Sequence, residues 1–526
     1  MLTKIDNHDR PATATRPRVI VVGAGMGGLA AAIRLAASGF AVTVVERRQQ
    51  PGGKLREVPV MGRGIDSGPT VFTMRWVFDA LFAAAGERLE DHIGLSRAGI
   101  LARHSWEDGA VFDLHADMNM TADAVFQLAG KNDAQGYRAF CARTAEVFRT
   151  LNRSFMENPD PSPTGLARSA GVAGLAALAR IEPFTSLWKV VGRYFRDPRL
   201  RQLFGRYATY CGSSPYDAPG PLMLIAHVEQ MGVWLVDGGM MRLAEALERL
   251  ATNLGVVTAI QMRGGRASGI GLASGEHLEA DAVVFNGDPA ALFSGLLGEQ
   301  ARGAVPSWPA GDRSLSALTW SIDGAAYGFP LSRHTVFFSS DYRREFDDIR
   351  AGRLPGDPTI YICAQDRDDS GAVSRHGAER LFLLVNAPAN ADAKHFSQGE
   401  IASCEKHVMD RLARAGLVIS APPEARVVTT PSDFARMFPA TGGALYGRSS
   451  HGWAASFQRP GARTRIKGLY LAGGGVHPGP GIPMAVLSGS HAASAVTADL
   501  ASTAMSRRVA TPGGTRTRSA TMAPTR

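Results

Sequence analysis

The chain has 526 residues, 45% of them hydrophobic and 20% charged, with a net charge of +9. That length and apolar content predict one large or two to three ordinary domains with a real core. The basic excess comes without any stretch that joins basic residues to an aromatic platform, which argues against nucleic acid as partner and leaves solubility or attraction to anionic lipid headgroups.

Residues 1–16 are polar, carry no apolar leader core and read as a loose tail. A buried strand follows at Val19 to Val22, then a helix rich in small and apolar residues to Ala37, then a strand from Ala41 to Val45 that ends in Glu46. Gly23 permits the tight turn, Gly25 lets a backbone approach a pyrophosphate, and Gly28 lets helix and strand pack closely. The helix N-terminus offers free N–H groups and a positive dipole end to phosphates. Glu46 accepts from ribose hydroxyls and repels a 2′-phosphate. The unit is a βαβ dinucleotide fingerprint; by itself it admits NAD or FAD.

Residues 120–230 read mostly helical. Leu166, Val172, Leu175, Leu178 and Ala179 recur on a helical period, and Pro183, Phe184, Leu187, Trp188, Val191 and Tyr194 follow with Lys189, Arg193 and Arg196 interleaved. The bland reading is a core helix with a solvated basic face; the sharper one is a patch that dips into a membrane. Asp237-Gly238-Gly239 form a turn, and Leu243, Leu247, Leu250 and Leu254 mark an amphipathic helix. Ala282 to Phe285 form a strand closed by the turn Asn286-Gly287-Asp288-Pro289. Residues 310–425 mix strands and helices and suggest a second, sheet-containing domain. Residues 468–496 return to strand, glycine/proline loop and helix.

Hydropathy peaks at 19–45 and 468–498 are these two glycine-broken units, so no transmembrane helix is expected. Residues 505–526 are rich in Arg, Thr, Pro and Gly and read as disordered. Cys141, Cys211, Cys363 and Cys404 stand far apart with no CxxC pair or His/Cys cluster, so no metal site or disulfide framework is expected and a reduced, cytoplasmic compartment fits.

Two distant segments thus share a strand–glycine loop–helix form. If both address one cofactor, its domain is assembled from 17–110, 225–300 and 426–502. Residues 111–224 and 301–425 then make a substrate and membrane-facing domain, with tails at 1–16 and 503–526.

Several motifs together carry a family likeness. Pro51-Gly52-Gly53-Lys54 extends the fingerprint, IDSGPTVF (65–72) follows it, GVWLVDGGMMRLAEAL (232–247) is central, ADAVVFNGDP (280–289) returns to the first domain, and LYLAGGGVHPGPGIPMAVLSG (469–489) closes the chain. In this order, over about residues 18–500, the chain resembles the bacterial phytoene desaturase family of FAD-dependent carotenoid desaturases. FPATGGALYGRSSHGWAASFQRPGAR (438–463) and HPGPGIP (477–483) resemble its methoxyneurosporene dehydrogenase branch, also called 1-hydroxycarotenoid 3,4-desaturase. The stretch after Gly255 is shorter than in relatives, with Val257 and Ile260 filling a Val-x-x-Ile step.

The resemblance implies an α/β fold: a Rossmann-like, three-layer FAD-binding domain of the glutathione-reductase/amine-oxidase type with an inserted α+β substrate domain. It implies FAD bound by Gly23, Gly25, Gly28, Glu46, Gly53 and Lys54, with Val257 on the adenine side. Gly68, Pro69 and Thr70 would line the flavin side, and Gly474, Gly481, Ile482 and Pro483 would lie near the isoalloxazine. The implied reaction inserts a C3–C4 double bond into an acyclic 1-hydroxy- or 1-methoxycarotenoid, with hydride passing to flavin N5. Oxygen or a quinone would take the electrons, and the enzyme would sit peripherally on the inner or photosynthetic membrane.

For the proton, His477 is the candidate base because it lies in the flavin loop. A histidine that merely holds the loop, with water as acceptor, is its rival. Asp66, Asp237 and His451 are weaker candidates, the two aspartates reading as turn caps. Leu187, Trp188, Val191, Tyr194, Phe195, Phe204, Tyr207 and Tyr210 supply material for an apolar tunnel or for plain core. Other readings are a phytoene or ketocarotenoid desaturase, a carotenoid isomerase, an amine-oxidase-type flavoenzyme, or a non-catalytic flavin and carotenoid carrier at the membrane.

Overall fold

Strand β1 (Arg18–Val22), helix α1 (Met26–Ala37) and strand β2 (Ala41–Val45) form the expected βαβ unit. The computed structural model describes residues 16–160, 162–166, 168, 180–249, 257–368, 371–373 and 377–509. Helix α2 (Met241–Glu248), strand β3 (Ala282–Phe285), strand β4 (Leu469–Leu471) and helix α3 (Ile482–Val509) come from far along the chain. Yet the parallel sheet runs β2-β1-β3-β4, with β1 pairing both β2 and β3.

Strand alternation builds three layers. Val19 and Val21 of β1 face α1, α2 and α3, while Ile20 and Val22 face a three-stranded antiparallel sheet (Val257–Arg263, Arg266–Leu272, His277–Glu279) through Ile260, Ala267 and Ile270. A parallel sheet covered on both faces needs such apolar strands, which is why β1 and β3 read as unbroken hydrophobic runs.

A second, eight-stranded sheet has the order Leu417–Ser420, Ser316–Gly328, Glu379–Ala387, Ile360–Ala364, His334–Phe337, Ile100–Ser105, Val111–His115, with Arg426–Thr429 also paired to Ser316–Gly328. Leu318, Trp320, Ile322, Leu381, Leu383 and Val385 pack with Val408 and Leu412 of the helix Gln398–Arg414. The opposite parity, Thr319, Phe382, Leu384 and Asn386, faces a large cavity. A helical layer closes the other side, with Tyr137, Phe140, Phe195 and Phe204 at its centre. The rings of Phe195 and Phe204 stack at 4.7 Å.

Three expected boundaries move. Ile100–Ser105 and Arg426–Thr429 hydrogen-bond into the eight-stranded sheet, so the limits at 110 and 426 fall on the wrong side of both strands. Sheet membership is decided by partners more than a hundred residues away, which a local pattern does not carry. Helix α3 continues to Val509, past the limit at 502. The tail at 1–15, the tail from 510, the periodic apolar residues Val172, Leu175, Leu178 and Ala179, and Leu250 and Leu254 lie outside the described residues. No helix among the described residues is long and apolar enough to cross a membrane.

Candidate active site

The two glycine-rich segments meet. A Cβ on Gly27 would stand 2.7 Å from the amide nitrogen of Gly473, and one on Gly28 would lie 2.0 Å from the carbonyl oxygen of Gly23. Asn286, at the end of β3, sits in this seam and donates from Nδ2 to the Gly23 carbonyl at 3.2 Å. The N-cap of α1 is Gly25, with no side-chain cap and no acid in the first turn. The helix end therefore keeps N–H donors for an external anion. Glu46 accepts from the N–H of Ala24 at 2.7 Å, of Arg47 at 2.9 Å and of Arg48 at 3.0 Å. A carboxylate offers about four acceptor sites, which leaves room for a ribose hydroxyl.

This cradle opens into one continuous cavity of about 990 Å³. Its volume is at the top of the ~300–1,000 Å³ span of small-molecule sites, which suits two ligands sharing one space. Gly23, Gly25, Glu46, Gly53, Lys54 and Val257 line it, and so do Gly68, Pro69, Thr70, Gly474, Gly481, Ile482 and Pro483. The same wall carries an apolar group (Leu222, Leu224, Ile225, Val228, Phe382, Leu384) and the aromatics Phe155, Phe457, Trp453 and Phe184. Val257 is held there because its strand hydrogen-bonds through the Ile260 N–H to the Leu297 carbonyl at 3.1 Å.

The lining carries six basic side chains (Arg47, Arg48, Lys54, Arg56, Arg206, Arg459) against three acids (Glu46, Glu229, Asp288). Burial, then the neighbouring Arg47, hold Arg48 below its ordinary pKa. Burial, then Arg48, bring Arg56 down to about 10. Burial likewise brings Arg459 to about 10 and lowers Lys54. These cations are held low chiefly by burial, and a bound anion would offset that cost. Lys54 donates to the Leu445 carbonyl at 2.5 Å and lies over the Phe438 ring at 5.3 Å. The uncapped helix, the glycine seam, the free ribose acceptor and the cation cluster fit the two phosphates and ribose of FAD.

Two assignments need correction, and one open reading is decided. His477 is 1% exposed and is not on the cavity wall. Its Nε2 is 3.0 Å from the Phe155 carbonyl and 2.9 Å from the Asn158 carbonyl, and burial lowers its pKa. A neutral ring that spends its N–H on backbone carbonyls anchors the loop and takes no proton from a substrate. Gly28 packs behind the cradle and does not line the cavity. Leu187, Val191, Phe195, Phe204 and Tyr207 are buried in the helical core, and of the expected tunnel group only Tyr210 reaches the cavity. A helical period marks a buried face without saying whether core or ligand covers it.

Asp66 behaves as a cap: it accepts from the N–H of Met240 at 2.7 Å and of Met241 at 3.2 Å at the start of α2. Asp237 bonds through its N–H to the Gly94 carbonyl, and His451 lies exposed with Nε2 3.3 Å from the Ser214 nitrogen. Asn286, Arg206, Tyr361 and Arg459 were not singled out by sequence. Arg459 is buried and donates to the Tyr446 carbonyl at 3.0 Å and to the Gly474 carbonyl at 3.4 Å, strapping the glycine loop. Asn286 sat in a legible NGDP turn, whose position after a returning strand was its one signal.

The profile of the flavin-containing amine oxidoreductases matches residues 26–497. The chain is 49% identical over 513 residues to the hydroxyneurosporene desaturase of Rubrivivax gelatinosus, covering 96% of this chain and 98% of that protein. It is 48% identical over 493 residues to the hydroxyneurosporene desaturase of Cereibacter sphaeroides, covering 92% and 98%. Among solved structures, putrescine oxidase with bound putrescine superposes with a TM-score of 0.55 at 14% identity, over 92% of this chain and 99% of that one. That likeness speaks for the fold alone.

Proposed function

The chain belongs to the flavin-containing amine oxidoreductase family, and from that premise we propose that it is an FAD-dependent desaturase inserting a C3–C4 double bond into an acyclic 1-hydroxy- or 1-methoxycarotenoid. The observation that carries this reading is the single cavity that runs from a nucleotide cradle at Gly23, Gly25 and Glu46 into an apolar chamber. Identity of 44% or more to three hydroxyneurosporene desaturases supports the substrate class.

The residues divide the work. Gly23, Gly25, Gly53 and the N-terminus of α1 hold the pyrophosphate, Lys54 and Arg56 offset its charge, Glu46 takes the ribose, and Val257 flanks the adenine. The loop of Gly68, Pro69 and Thr70 and the loop of Gly474, Gly481, Ile482 and Pro483 bracket the ring system. Bound FAD supplies the two-electron acceptor that no side chain can replace. The substrate loses a hydride and a proton across C3–C4, and the positive charge left between the two losses spreads into the polyene, so a weak acceptor such as water suffices. Leu224, Ile225, Val228, Phe382 and Leu384 orient the chain and exclude bulk water. Oxygen or a membrane quinone takes the electrons onward.

The polyene arrives from the bilayer. Phe184 and Trp453 are 77% and 48% exposed, touch each other at 5.3 Å between ring centroids, and line the mouth of the cavity. This aromatic edge supports a peripheral seat on the membrane surface.

The test is an assay of the purified holoprotein in lipid with a panel of acyclic carotenoids. 1-Hydroxyneurosporene should give a red-shifted product that has lost two hydrogens. An unchanged spectrum and mass, with flavin bound, would defeat the reading; a shifted spectrum at unchanged mass would mean isomerisation.

A further inference from the structure

We propose that Arg206, with the hydroxyl chain Thr70–Tyr361–His334, forms the subsite that holds the terminal oxygen of the substrate and thereby selects the oxygenated end of the polyene. This deepens the desaturase reading and rests on it for the identity of the substrate.

Arg206 is a guanidinium set in a mostly apolar wall. Its charge lies over the rings of Tyr210 and Tyr361, each at 5.6 Å. Among the described residues no carboxylate lies within ion-pair distance of it. Glu229, the acid on the same wall, is taken by two other donors: the Tyr207 hydroxyl at 2.6 Å and the Tyr210 hydroxyl at 2.8 Å. Ring faces balance part of a cation's charge but do not accept five N–H groups in the plane of a guanidinium. Arg206 keeps surface facing the cavity it lines. The Tyr210 hydroxyl, itself bonded to Glu229, takes one of these N–H groups, and the guanidinium has others to offer an oxygen delivered by a ligand.

The second observation is a hydrogen-bonded chain that ends at the same place. Thr70 Oγ1 and the Tyr361 hydroxyl are 2.6 Å apart, and the Tyr361 hydroxyl and His334 Nδ1 are 2.7 Å apart. His334 Nε2 is buried and has no hydrogen-bond partner. Nothing therefore fixes the His334 tautomer from its far side, and the chain can run in either direction. With Nδ1 accepting, Tyr361 donates to it and Thr70 donates to Tyr361, leaving the Thr70 oxygen to accept from a substrate hydroxyl. With Nδ1 protonated, the direction reverses and Thr70 donates. A hydroxyl, which donates and accepts, and a methoxy oxygen, which only accepts, are both served beside the Arg206 donors.

The position suits the regiochemistry. Thr70 directly follows Gly68 and Pro69, which line the same cavity and belong to the loop assigned above to the flavin ring. An oxygen on C1 is only a few bonds from C3–C4, so the group that grips it must stand close to where the reacting bond lies. Thr70 belongs at once to that loop and to the polar cluster. A deoxygenated chain end would leave the Arg206 donors and the Thr70 hydroxyl facing hydrocarbon, and rejection of that kind discriminates far better than a size difference.

The experiment compares 1-hydroxyneurosporene with neurosporene, which lacks the oxygen, in phosphatidylcholine vesicles. Wild-type holoprotein, Arg206→Met, Arg206→Lys, Tyr361→Phe and Thr70→Val are measured for kcat/KM and, separately, for binding by quenching of flavin fluorescence. Wild type should prefer the hydroxylated polyene by about tenfold or more; Arg206→Met and Tyr361→Phe should each shrink that ratio about tenfold, and Arg206→Lys should retain part of it. If Arg206→Met loses its flavin, Tyr361→Phe and Thr70→Val decide by the same ratio. Variants that hold flavin and keep the full preference overturn the subsite and leave the desaturase reading standing. If wild type turns over neither polyene, the desaturase reading fails and binding decides the subsite. A binding preference lost in the variants upholds it; equal binding of the two polyenes overturns it.

Discussion

Asn286 Nδ2 donates to the Gly23 carbonyl at 3.2 Å across 263 residues of chain, while a Cβ on Gly473 would stand 2.9 Å from Asn286 Oδ1. One amide thus fastens both glycine loops. Asn286→Ala removes the bond and the packing that keeps the loops in register. FAD affinity should fall about tenfold, and the protein should lose roughly 1–3 kcal/mol from the broken bond and the opened seam. FAD titration and chemical denaturation of the same sample check this; unchanged affinity would mean the loops hold each other without Asn286.

What was legible in the chain was whatever a backbone approach forces onto residue type. At Gly25 and Gly53 a Cβ would stand 2.7 Å from Asn286 Nδ2 and 3.2 Å from the Gly25 Cα, so glycine at these positions reads directly from the sequence. Glu46 reads because it ends a strand. Asn286 did not read, because its partner lies beyond any local window. Tyr361 and Arg206 did not read for a different reason. In Ile360–Ala364 the alternation is plain, but which parity meets the cavity depends on which face the helix Gln398–Arg414 covers. His477 misled because proximity in sequence to a flavin loop says nothing about where the ring points.

His477→Gln keeps a donor that can reach the Phe155 and Asn158 carbonyls. Its kcat should stay within about threefold of wild type, and the pH–rate profile should keep its shape. A loss of general-base catalysis would instead cost about 10²–10⁴-fold. Such a drop, with one limb of the profile gone, would return His477 to the chemistry.

Glu345 is buried under the sheet, accepting from the Thr359 hydroxyl at 2.6 Å and the Thr359 N–H at 3.1 Å. Burial raises its pKa from 4.5 to about 7, the Thr359 bonds opposing. The folded state then binds this proton more tightly than the unfolded chain does. Its contribution is complete below pH 4.5 and is lost as pH rises through about 7. The loss is roughly 3 kcal/mol. Buried His104, His334 and His491, lowered by burial to about 3, 3 and 4, act the other way and lose their contribution as pH falls below 6.5. The comparison of Glu345→Gln with wild type cancels them. The variant should gain in Tm on wild type as pH is raised from about 5 to 8.5; a constant difference would show that Glu345 does not titrate there.

The last prediction concerns the mouth. Phe184 touches Trp453 at 5.3 Å, Trp453 touches Phe457 at 6.3 Å, and Phe457 touches Phe155 at 5.7 Å, so an aromatic line leads inward from the two exposed rings. The neighbouring helix Leu187–Tyr194 does not share this role, since Leu187, Val190 and Val191 are buried in the core. The membrane seat proposed above therefore rests on the Phe184 and Trp453 rings, which are 77% and 48% exposed. Each exposed ring that leaves water for the acyl boundary contributes on the order of 1–3 kcal/mol. Phe184→Ser with Trp453→Ser should lower sedimentation with anionic vesicles by about tenfold or more, while flavin content stays at the wild-type level. The variant should also lose turnover of carotenoid presented in vesicles more than of carotenoid presented in detergent, because delivery and not the site is impaired. Equal loss in both presentations would place the two rings in the chamber's own grip on the polyene, and unchanged sedimentation would move the membrane seat elsewhere on the surface.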